Sequence, residues 1–341
     1  HLAEVYAHLE ESDYRVGVIN SRARCLPTAA ALSLMQHSHF GSAKNVLVSN
    51  LKALQAQGMR LDTEERREEV TWWERMWIDC CRELNRWNSL HEVSQAAARR
   101  SRLSLQCAAK LQHWGDIDRL LQLHQINEPA TKLCQTYQSL HEVLYPKGQL
   151  ETDSRPWFRT EKLQEIDMHC AEVQRLLLQS WRSLPSIPTD AHVPLLLQFQ
   201  LYVELLEGYK LILHLAKKIS SPGEVPLVRT TLNAWRDRLP NDCDAISCWN
   251  DLFVWRNFVF SIVQSAVASC PHLSREEKRL LPPFLQDLPW TMIRFAAITR
   301  SAHQLKDISL ALLIKLQHLP AFSQPAYAQE HLAALVRGFR V

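Results

Sequence analysis

The chain has 341 residues, enough for one large or two modest domains with a substantial buried core. Its 39 basic and 36 acidic side chains give a net charge of +3, which disfavours a nucleic-acid binder that relies on a concentrated basic face. Only 8 glycines are present, and sheet proteins use glycine in hairpin turns and bulges, so the composition favours helices.

The first strong helical pattern lies in the N-terminal third of the chain. Apolar side chains recur there at steps of three and four residues, which predicts one stripe on one helix. The stripe consists of Trp73, Trp77, Cys80, Leu84 and Trp87. Thr71 and Glu74 have the spacing of a capping box, so we expect the helix to begin at Thr71.

A short apolar pattern recurs along the chain. Leu84-x-x-Trp87-x-x-Leu90 is repeated as Leu111-x-x-Trp114-x-x-Ile117, and the segments 39–43 and 304–308 have a similar order of residues. Each segment indicates one helix ending, a tight turn and an antiparallel partner beginning. Because neither helix of such a pair can bury its apolar face alone, we predict an all-α solenoid of stacked antiparallel helix pairs.

The C-terminal half contains further stripes of helical period. Pro185 is expected to end the first of them and Pro240 the second. The three stripes are Leu163, Ile166, Cys170, Val173, Leu177, Trp181 and Leu184; Val228, Leu232, Trp235 and Leu239; and Trp249, Phe253, Phe260, Val263 and Val267.

Start signals and breaks divide this pattern. Asp244 is placed to cap the third helix, and Ser274 with Glu277 marks another helix start. Residues 145–159 contain the longest break and predict a loop or hinge. We therefore expect N-terminal helical repeats over 1–144 and C-terminal helical repeats over 160–341.

The sequence lacks the motifs of phosphate, kinase and metal chemistry. It has no phosphate-binding glycine loop, no kinase catalytic loop and no H-E-x-x-H zinc motif. His37 and His39 are two residues apart and would point to different faces of a helix. A Cys–His nucleophile pair is not excluded, because its members can be distant in sequence. We expect no catalytic residue, no metal and no cofactor.

Two further features concern the redox state of the cysteines and a possible membrane span. The nine cysteines are odd in number and form no C-x-x-C pair, which indicates reduced thiols packed as small apolar groups. Arg256, Asn257 and Gln264 interrupt the apolar stretch 252–268, which predicts a buried core helix rather than a membrane span. The chain opens with His-Leu-Ala and no Met, as expected of an excerpt.

The eleven tryptophans allow two interpretations. Trp181, Trp235 and Trp255 each precede an arginine, an arrangement that could stack on the bases of RNA. Their positions on helical stripes instead favour packing between helices, so direct nucleic-acid binding is not expected.

The packing interpretation predicts the positions of specific side chains. Trp235, Trp249 and Trp255 should be buried, and the helices on either side of the turn at 240–244 should be antiparallel and in contact. Arg236 and Arg256 should lie at the rim, where they could pair with carboxylates such as those of Asp237 and Asp251.

One block of the sequence resembles a known family. The residues Trp235-Arg236-Asp237-Arg238-Leu239-Pro240, then Asp244, Trp249-Asn250-Asp251 and Trp255-Arg256, are similar to a W-R-x-R-L-P block with its following tryptophans in the FAT region of TRRAP-type transcription co-activator pseudokinases. Further segments agree in the same order along almost the entire chain. They are Gln36 to Ala43, Trp77-Ile78 with Glu83 to Trp87, Ser180 to Pro185, and His192 to Leu196.

The resemblance implies a fold and a function. FAT regions are tetratricopeptide-like helical solenoids that wrap a C-terminal kinase or kinase-like domain in the phosphatidylinositol-3-kinase-related family. In the TRRAP branch that domain is a pseudokinase, and the protein is a nuclear scaffold that brings transcription activators to histone acetyltransferase complexes on chromatin. The chain is then expected to be a non-enzymatic part of that scaffold, without the kinase-like domain. Its expected partners are acetyltransferase-complex subunits, transcription activators and the kinase-like domain of the same protein, with no membrane.

Departures from the family's pattern indicate a divergent homologue. Gly17-Val18-Ile19 replaces G-L-W, and Trp255-Arg256-Asn257-Phe258 replaces W-R-Q-H. Two alternatives stay open: the FAT region of an active kinase of the same superfamily, and an unrelated helical-repeat adaptor. An active kinase would need a catalytic Asp, a metal-binding Asp and a phosphate-contacting Lys beyond this segment.

Overall fold

A computed structural model describes residues 2–9, 11–56, 64–95, 101–123, 127–144, 160–218, 226–242, 244–268, 282–301 and 305–317. Within these ranges the regular elements are fifteen α-helices, and no β-strand is present. In chain order they are α1 (Leu2–His8), α2 (Ser12–Arg22), α3 (Leu26–Gln36), α4 (Phe40–Ala56), α5 (Glu64–Glu83), α6 (Trp87–Gln95), α7 (Ser101–Leu111), α8 (Trp114–Leu123), α9 (Pro129–Leu144), α10 (Thr160–Ser183), α11 (His192–Lys218), α12 (Pro226–Asp237), α13 (Ile246–Ala268), α14 (Pro282–Ser301) and α15 (Lys306–Gln317).

The chain divides into two compact units. The first comprises residues 1–111 and 180–196, and the second comprises residues 112–179 and 197–341. Consecutive helices pack on each other in both, as in α3 with α4 and α6 with α7 in the first unit and α14 with α15 in the second. The predicted all-α fold of stacked helix pairs is confirmed. The predicted hinge at 145–159 and the start signal at 274–277 lie outside the described residues, and the division at that hinge stays a prediction.

Each unit is built on buried clusters of apolar side chains. In the first unit, one cluster surrounds Trp73 and Met76 of α5, and a second surrounds Trp87 and Leu90 of α6. Trp77 packs against both clusters and so joins them. In the second unit, the clusters lie around Trp235 and Trp249.

The turns between helices explain the recurring sequence pattern. Ser38, Asn85 and Gln112 all have positive φ, at 60°, 53° and 56°, and each stands two residues before the aromatic residue that opens the next helix. At Ser38 and Asn85 the backbone forms a Schellman motif, in which the following residue donates back five positions along the chain. The prediction that one helix ends and the next begins at these three turns is therefore confirmed. Residue 304 of the fourth segment lies outside the described residues.

Two predictions about α5 are wrong. The helix begins at Glu64, so Thr71 lies inside it, and the Thr71 hydroxyl donates to the carbonyl of Arg67 (2.9 Å) instead of capping the first turn. The stripe from Trp73 to Trp87 is also not continuous, because α5 ends at Glu83 and Trp87 opens α6. The chain reverses at Asn85, whose left-handed conformation the apolar spacing alone could not reveal.

The apolar stretch 252–268 lies in α13, where Leu252, Phe258, Val259 and Phe260 are buried in the protein. None of the helices within the described residues is both long and apolar enough to cross a membrane.

The left-handed turn at Ser38 gives a test of this architecture. An L-residue with a β-carbon is strained there, so Ser38→Gly should raise the free energy of unfolding by about 0.5–1 kcal/mol. Ser33→Gly, on an exposed position inside α3, is the matched control and should lower it by about 0.5 kcal/mol. Chemical denaturation of the three proteins measures both values, and equal destabilisation by both glycines would contradict the turn.

Candidate functional site

A row of polar side chains on α11 organises the second unit. Gln200, Glu204 and Glu207 are spaced by four and three residues, which places them on one face of the helix. They contact Trp235 and Arg238 at the C-terminal end of α12 and Arg256 on α13, and we call these six side chains the polar cluster.

The centre of the polar cluster is a buried ion pair. Arg256 donates from Nε to one carboxylate oxygen of Glu204 (2.8 Å) and from Nη2 to the other (2.7 Å). The two side chains are only 3% and 5% exposed. Parallel bonds of this kind match the planar guanidinium to the carboxylate, so each charge is neutralised where water is excluded.

The second carboxylate of the row holds the end of α12. Glu207 accepts a hydrogen bond from the Trp235 indole Nε1 (2.7 Å) and from Nη1 of Arg238 at both oxygens (2.9 and 2.8 Å). Gln200 donates from Nε2 to the backbone carbonyl of Arg238 (2.6 Å) and to Glu204 (3.3 Å). Side chains of α11 thus satisfy both the indole and a carbonyl at the end of α12, where the helix has no internal partner to offer.

A glycine beside the row permits the close packing of α11 and α13. A β-carbon built on Gly208 would lie 2.9 Å from Cγ1 of Val259, closer than real β-carbons approach a neighbour. Val259 is three residues beyond Arg256 on α13, so the same contact region contains the ion pair and the glycine. A larger residue at position 208 would require the Val259 side chain or its helix to shift.

The three tryptophans of the family block are buried, as predicted. Trp235, Trp249 and Trp255 are 1%, 2% and 7% exposed. The indole of Trp249 donates to the carbonyl of Asn241 (3.1 Å), and the ring of Trp255 stacks on Tyr137 with 3.7 Å between centroids. These rings fill space between helices.

The predicted rim position of Arg256 is wrong, whereas Arg236 is exposed as expected. Arg256 is buried, and its guanidinium lies 5.6 Å from the centre of the Trp235 ring as well as on Glu204. The prediction failed because it considered only the carboxylates close in sequence, whereas the true partner lies 52 positions away on α11.

The turn between α12 and α13 is held by its own polar groups. Asp244 stands before the first residue of α13, and its carboxylate accepts a hydrogen bond from the backbone N–H of Asn241 (2.7 Å). The prediction that Asp244 caps α13 is therefore wrong: the helix begins two residues later, and the carboxylate closes the preceding turn instead of accepting from an N–H of the first helical turn. Leu239 packs against the apolar cluster that contains Trp249, and Pro240 follows the end of α12.

The first unit contains a second buried carboxylate. Glu69, only 4% exposed, accepts hydrogen bonds at one oxygen from the backbone N–H groups of Arg24 and Cys25 (3.0 and 2.9 Å) and from the hydroxyl of Thr28 (2.8 Å). The indole of Trp73 donates to the same hydroxyl (2.8 Å). Burial acts to raise the pKa of Glu69, but the hydrogen bonds from Cys25, Thr28 and Arg24 outweigh it and hold the pKa below its usual value.

Trp77 and Leu84 are half-buried, and Trp87 is 4% exposed. The indole of Trp87 donates to the side chain of Asn85, and the ammonium group of Lys110 lies 4.9 Å from the centre of its ring.

Trp181 and Pro185 do not fit the packing interpretation. Trp181 is 43% exposed in the last turn of α10, and Pro185 is exposed in the loop that follows. The Trp181 ring contacts the edge of His192, with 5.3 Å between centroids. A helical stripe predicts which face is apolar, but it cannot show that a neighbouring helix covers the end of that face.

Sequence reasoning missed Gln200, Glu204, Glu207, Gly208 and Glu69. A signal was present for the first set, because Glu204 and Glu207 interrupt an otherwise apolar run on α11. Buried carboxylates in such a run need partners, and arginines that follow tryptophans were available.

The described cysteines are all thiols rather than disulfides. Burial raises the pKa of the thiols of Cys80 and Cys170 to about 12 and that of Cys81 and Cys107 to about 11. A thiol with such a pKa is protonated near neutral pH and is a poor nucleophile, as expected of cysteines that serve packing.

Stacked helix pairs fixed by buried carboxylates define an α-helical repeat protein whose charged groups support packing. A sequence model of the FAT domain matches residues 101–333. The chain therefore belongs to the FAT domain family.

The similar proteins are transcription-associated. The chain is 28% identical to the SAGA complex/NuA4 acetyltransferase complex subunit TRA1 of Saccharomyces cerevisiae, over 94% of the chain and 8% of that protein. It is 27% identical to the corresponding Tra1 subunit of Schizosaccharomyces pombe, over 94% of the chain and 9% of that protein. It is also 25% identical to the transformation/transcription domain-associated protein of Mus musculus, over 80% of the chain and 10% of that protein. The chain thus spans about a tenth or less of the length of these relatives.

The buried ion pair predicts strongly non-additive substitutions. Arg256→Met or Glu204→Leu alone should lower the free energy of unfolding by about 3–5 kcal/mol, because each leaves an uncompensated buried charge. The double variant should be more stable than either single one. Arg294→Ala is the control, since Arg294 pairs with Asp242 at the surface and its loss should change the value by less than about 1 kcal/mol. Additive losses in equilibrium unfolding would contradict the pair.

Glu69 predicts a pH dependence. The pKa of Glu69 is lower in the folded chain than in the unfolded chain, where glutamate titrates at about 4.3. Its contribution to the free energy of unfolding is therefore complete above that value and is lost as the pH falls through the folded-state pKa. Glu69→Gln should therefore flatten the fall in unfolding free energy below about pH 5. Glu92→Gln, on an exposed position of α6, is the control, and an acid limb unchanged in Glu69→Gln would disprove the assignment.

Proposed function

We propose that this chain is a non-catalytic scaffold segment of a TRRAP-like transcription co-activator that links activators to histone acetyltransferase complexes in the nucleus. The observation that carries the proposal is similarity over 94% of the chain to proteins named as subunits of the SAGA and NuA4 acetyltransferase complexes. The W-R-x-R-L-P block and the other segments that resemble the TRRAP-type family occur in the same order here as in that family.

The geometry of the polar cluster supports a structural role. Glu204 and Arg256 are buried charged side chains, and each is engaged by the other in two hydrogen bonds. A carboxylate committed in this way cannot also serve as a general base without breaking the pair. The same holds for Glu69, whose oxygen accepts three bonds from the α2–α3 turn and from α3. These groups maintain the positions of helices, which is what a scaffold requires.

The packing of the tryptophans disfavours an RNA-binding adaptor. Stacking on successive bases needs several exposed rings. Of the three tryptophans that precede an arginine, Trp235 and Trp255 are buried and Trp181 alone is exposed. Arg256 is buried as well, so it offers no contact to a phosphate. The remaining alternative, the FAT region of an active kinase, shares the fold, but the similar proteins named above are transcription-associated subunits.

The test is purification of the full-length parent protein from nuclei of its own cells. Acetyltransferase subunits should co-purify, the eluate should acetylate histones, and it should transfer no phosphate from ATP to protein. A paired experiment compares parent proteins carrying Arg256→Met and Arg294→Ala, and only the first should lose associated subunits as the FAT segment is destabilised. Phosphate transfer without acetyltransferase subunits would favour the kinase alternative, and the absence of both activities would overturn the proposal.

A further inference from the structure

We infer that the loop between α10 and α11 is a docking site for an SH3-type proline-recognition domain that carries an acidic specificity pocket. The loop contains the sequence Arg182-Ser183-Leu184-Pro185-Ser186-Ile187-Pro188. Its pattern is R-x-x-P-x-x-P, in which an apolar residue precedes each proline. This surface is independent of the polar cluster and of the proposed scaffold role.

The spacing suits a polyproline II helix, which has three residues per turn and a rise of about 3.1 Å per residue. In that conformation Arg182, Pro185 and Pro188 lie on one edge, about 9 Å apart along the axis. Leu184 and Ile187 lie on an adjacent edge with the same separation. Two apolar–proline pairs at this distance match the two aromatic-lined grooves with which SH3 domains bind extended ligands.

The backbone is already restricted towards this form. Each proline ring fixes φ near about −65°, close to the polyproline II value. Leu184 and Ile187 each precede a proline, which disfavours the helical region at these positions. The backbone dihedral angles of these two prolines and of the two residues before them are thus restricted before any partner binds. Less conformational entropy is therefore lost on docking.

Of the side chains that would contact the partner, Leu184 is half-buried and the others are accessible. Ile187 is 73% exposed, and Arg182, Pro185 and Pro188 are exposed as well. Arg182 forms no ion pair with any other described residue, although Glu and Asp side chains elsewhere in the chain do pair with arginines. An accessible guanidinium one polyproline turn before the first proline complements carboxylates beside an aromatic groove, which selects an SH3 domain among proline-recognition modules.

The ends of the loop are anchored while its middle is displayed. His192, only 7% exposed, contacts the Trp181 ring, and its Nδ1 lies 3.0 Å from the backbone nitrogen of Thr189. The backbone bends at 186–187, and Arg182 belongs to the last turn of α10. Docking must therefore straighten the loop and unwind the last turn of α10. This releases the hydrogen bonds from Leu184 N–H to the carbonyl of Trp181 (3.2 Å) and from the Ser183 hydroxyl to the carbonyl of Ser180 (2.7 Å). Terminal turns of helices open at low free energy, so this change is accessible.

The experiment titrates the intact chain into an isotope-labelled SH3 domain that has carboxylates in its specificity pocket and follows its groove resonances by NMR. The wild-type chain should shift groove and specificity-pocket resonances. Pro188→Ala removes about two buried methylene groups and should weaken binding about tenfold. Arg182→Glu should abolish the shifts at the specificity pocket. Ser186→Ala is the matched control within the loop and should bind as the wild type does, because position 186 lies on neither contacting edge.

Every variant lies on exposed positions, so thermal unfolding of Pro188→Ala and Ser186→Ala should coincide with that of the wild type. Arg182→Glu puts a negative charge in the last turn of α10 and should lower the unfolding temperature by a few degrees at most, so the unfolding curves separate binding from folding. The inference is overturned if the wild-type chain leaves the groove resonances unchanged. It is equally overturned if Pro188→Ala and Arg182→Glu bind as tightly as Ser186→Ala. Binding by a synthetic peptide of residues 181–190 without binding by the folded chain would also refute it, since the helices would then withhold the loop.

Discussion

The second unit depends on the ion pair between Glu204 and Arg256. A carboxylate and a guanidinium excluded from water are each unfavourable alone, and they become tolerable only when both bonds between them form. This requirement restricts how α11 and α13 can rotate and shift relative to each other, because a displacement of one residue would separate the two groups. Apolar packing alone tolerates several such arrangements of similar free energy. We therefore expect the ion pair to contribute more to the choice of one arrangement than to net stability.

The neighbours of the pair extend this constraint to a third helix. Glu207 and Gln200 hold the end of α12 through the Trp235 indole, the Arg238 guanidinium and a backbone carbonyl. The residues of the W-R-x-R-L-P block therefore have different structural roles. Trp235 and Arg238 bond to Glu207 on α11, and Leu239 packs against the apolar cluster that contains Trp249. Pro240 follows the end of the helix. The first arginine, Arg236, faces outward.

Sequence reasoning succeeded for features that depend on local spacing. The stripes gave the helical class and the buried faces, and the recurring aromatic after a turn located three helix starts at Phe40, Trp87 and Trp114. It failed where the deciding partner is distant. Glu69 reaches residues more than 40 positions away, and Arg256 reaches Glu204 at a separation of 52. The capping box at Thr71 failed for a related reason: a capping sequence also fits an ordinary helix interior, and only the preceding residues decide. Covering of an apolar face is likewise a tertiary property, as exposed Trp181 shows.

The buried thiols can report the opening of the helices that cover them. Cys80, Cys81 and Cys107 border the two apolar clusters of the first unit, and their high pKa values keep them protonated and unreactive while the helices stay packed. Alkylation at these sites therefore has to wait for α5, α6 or α7 to separate. The rate of alkylation then measures how often these helices separate. Cys170 on α10 gives the same information for the second unit. The native sequence thus allows the opening of α5, α7 and α10 to be followed by alkylation without any engineered label.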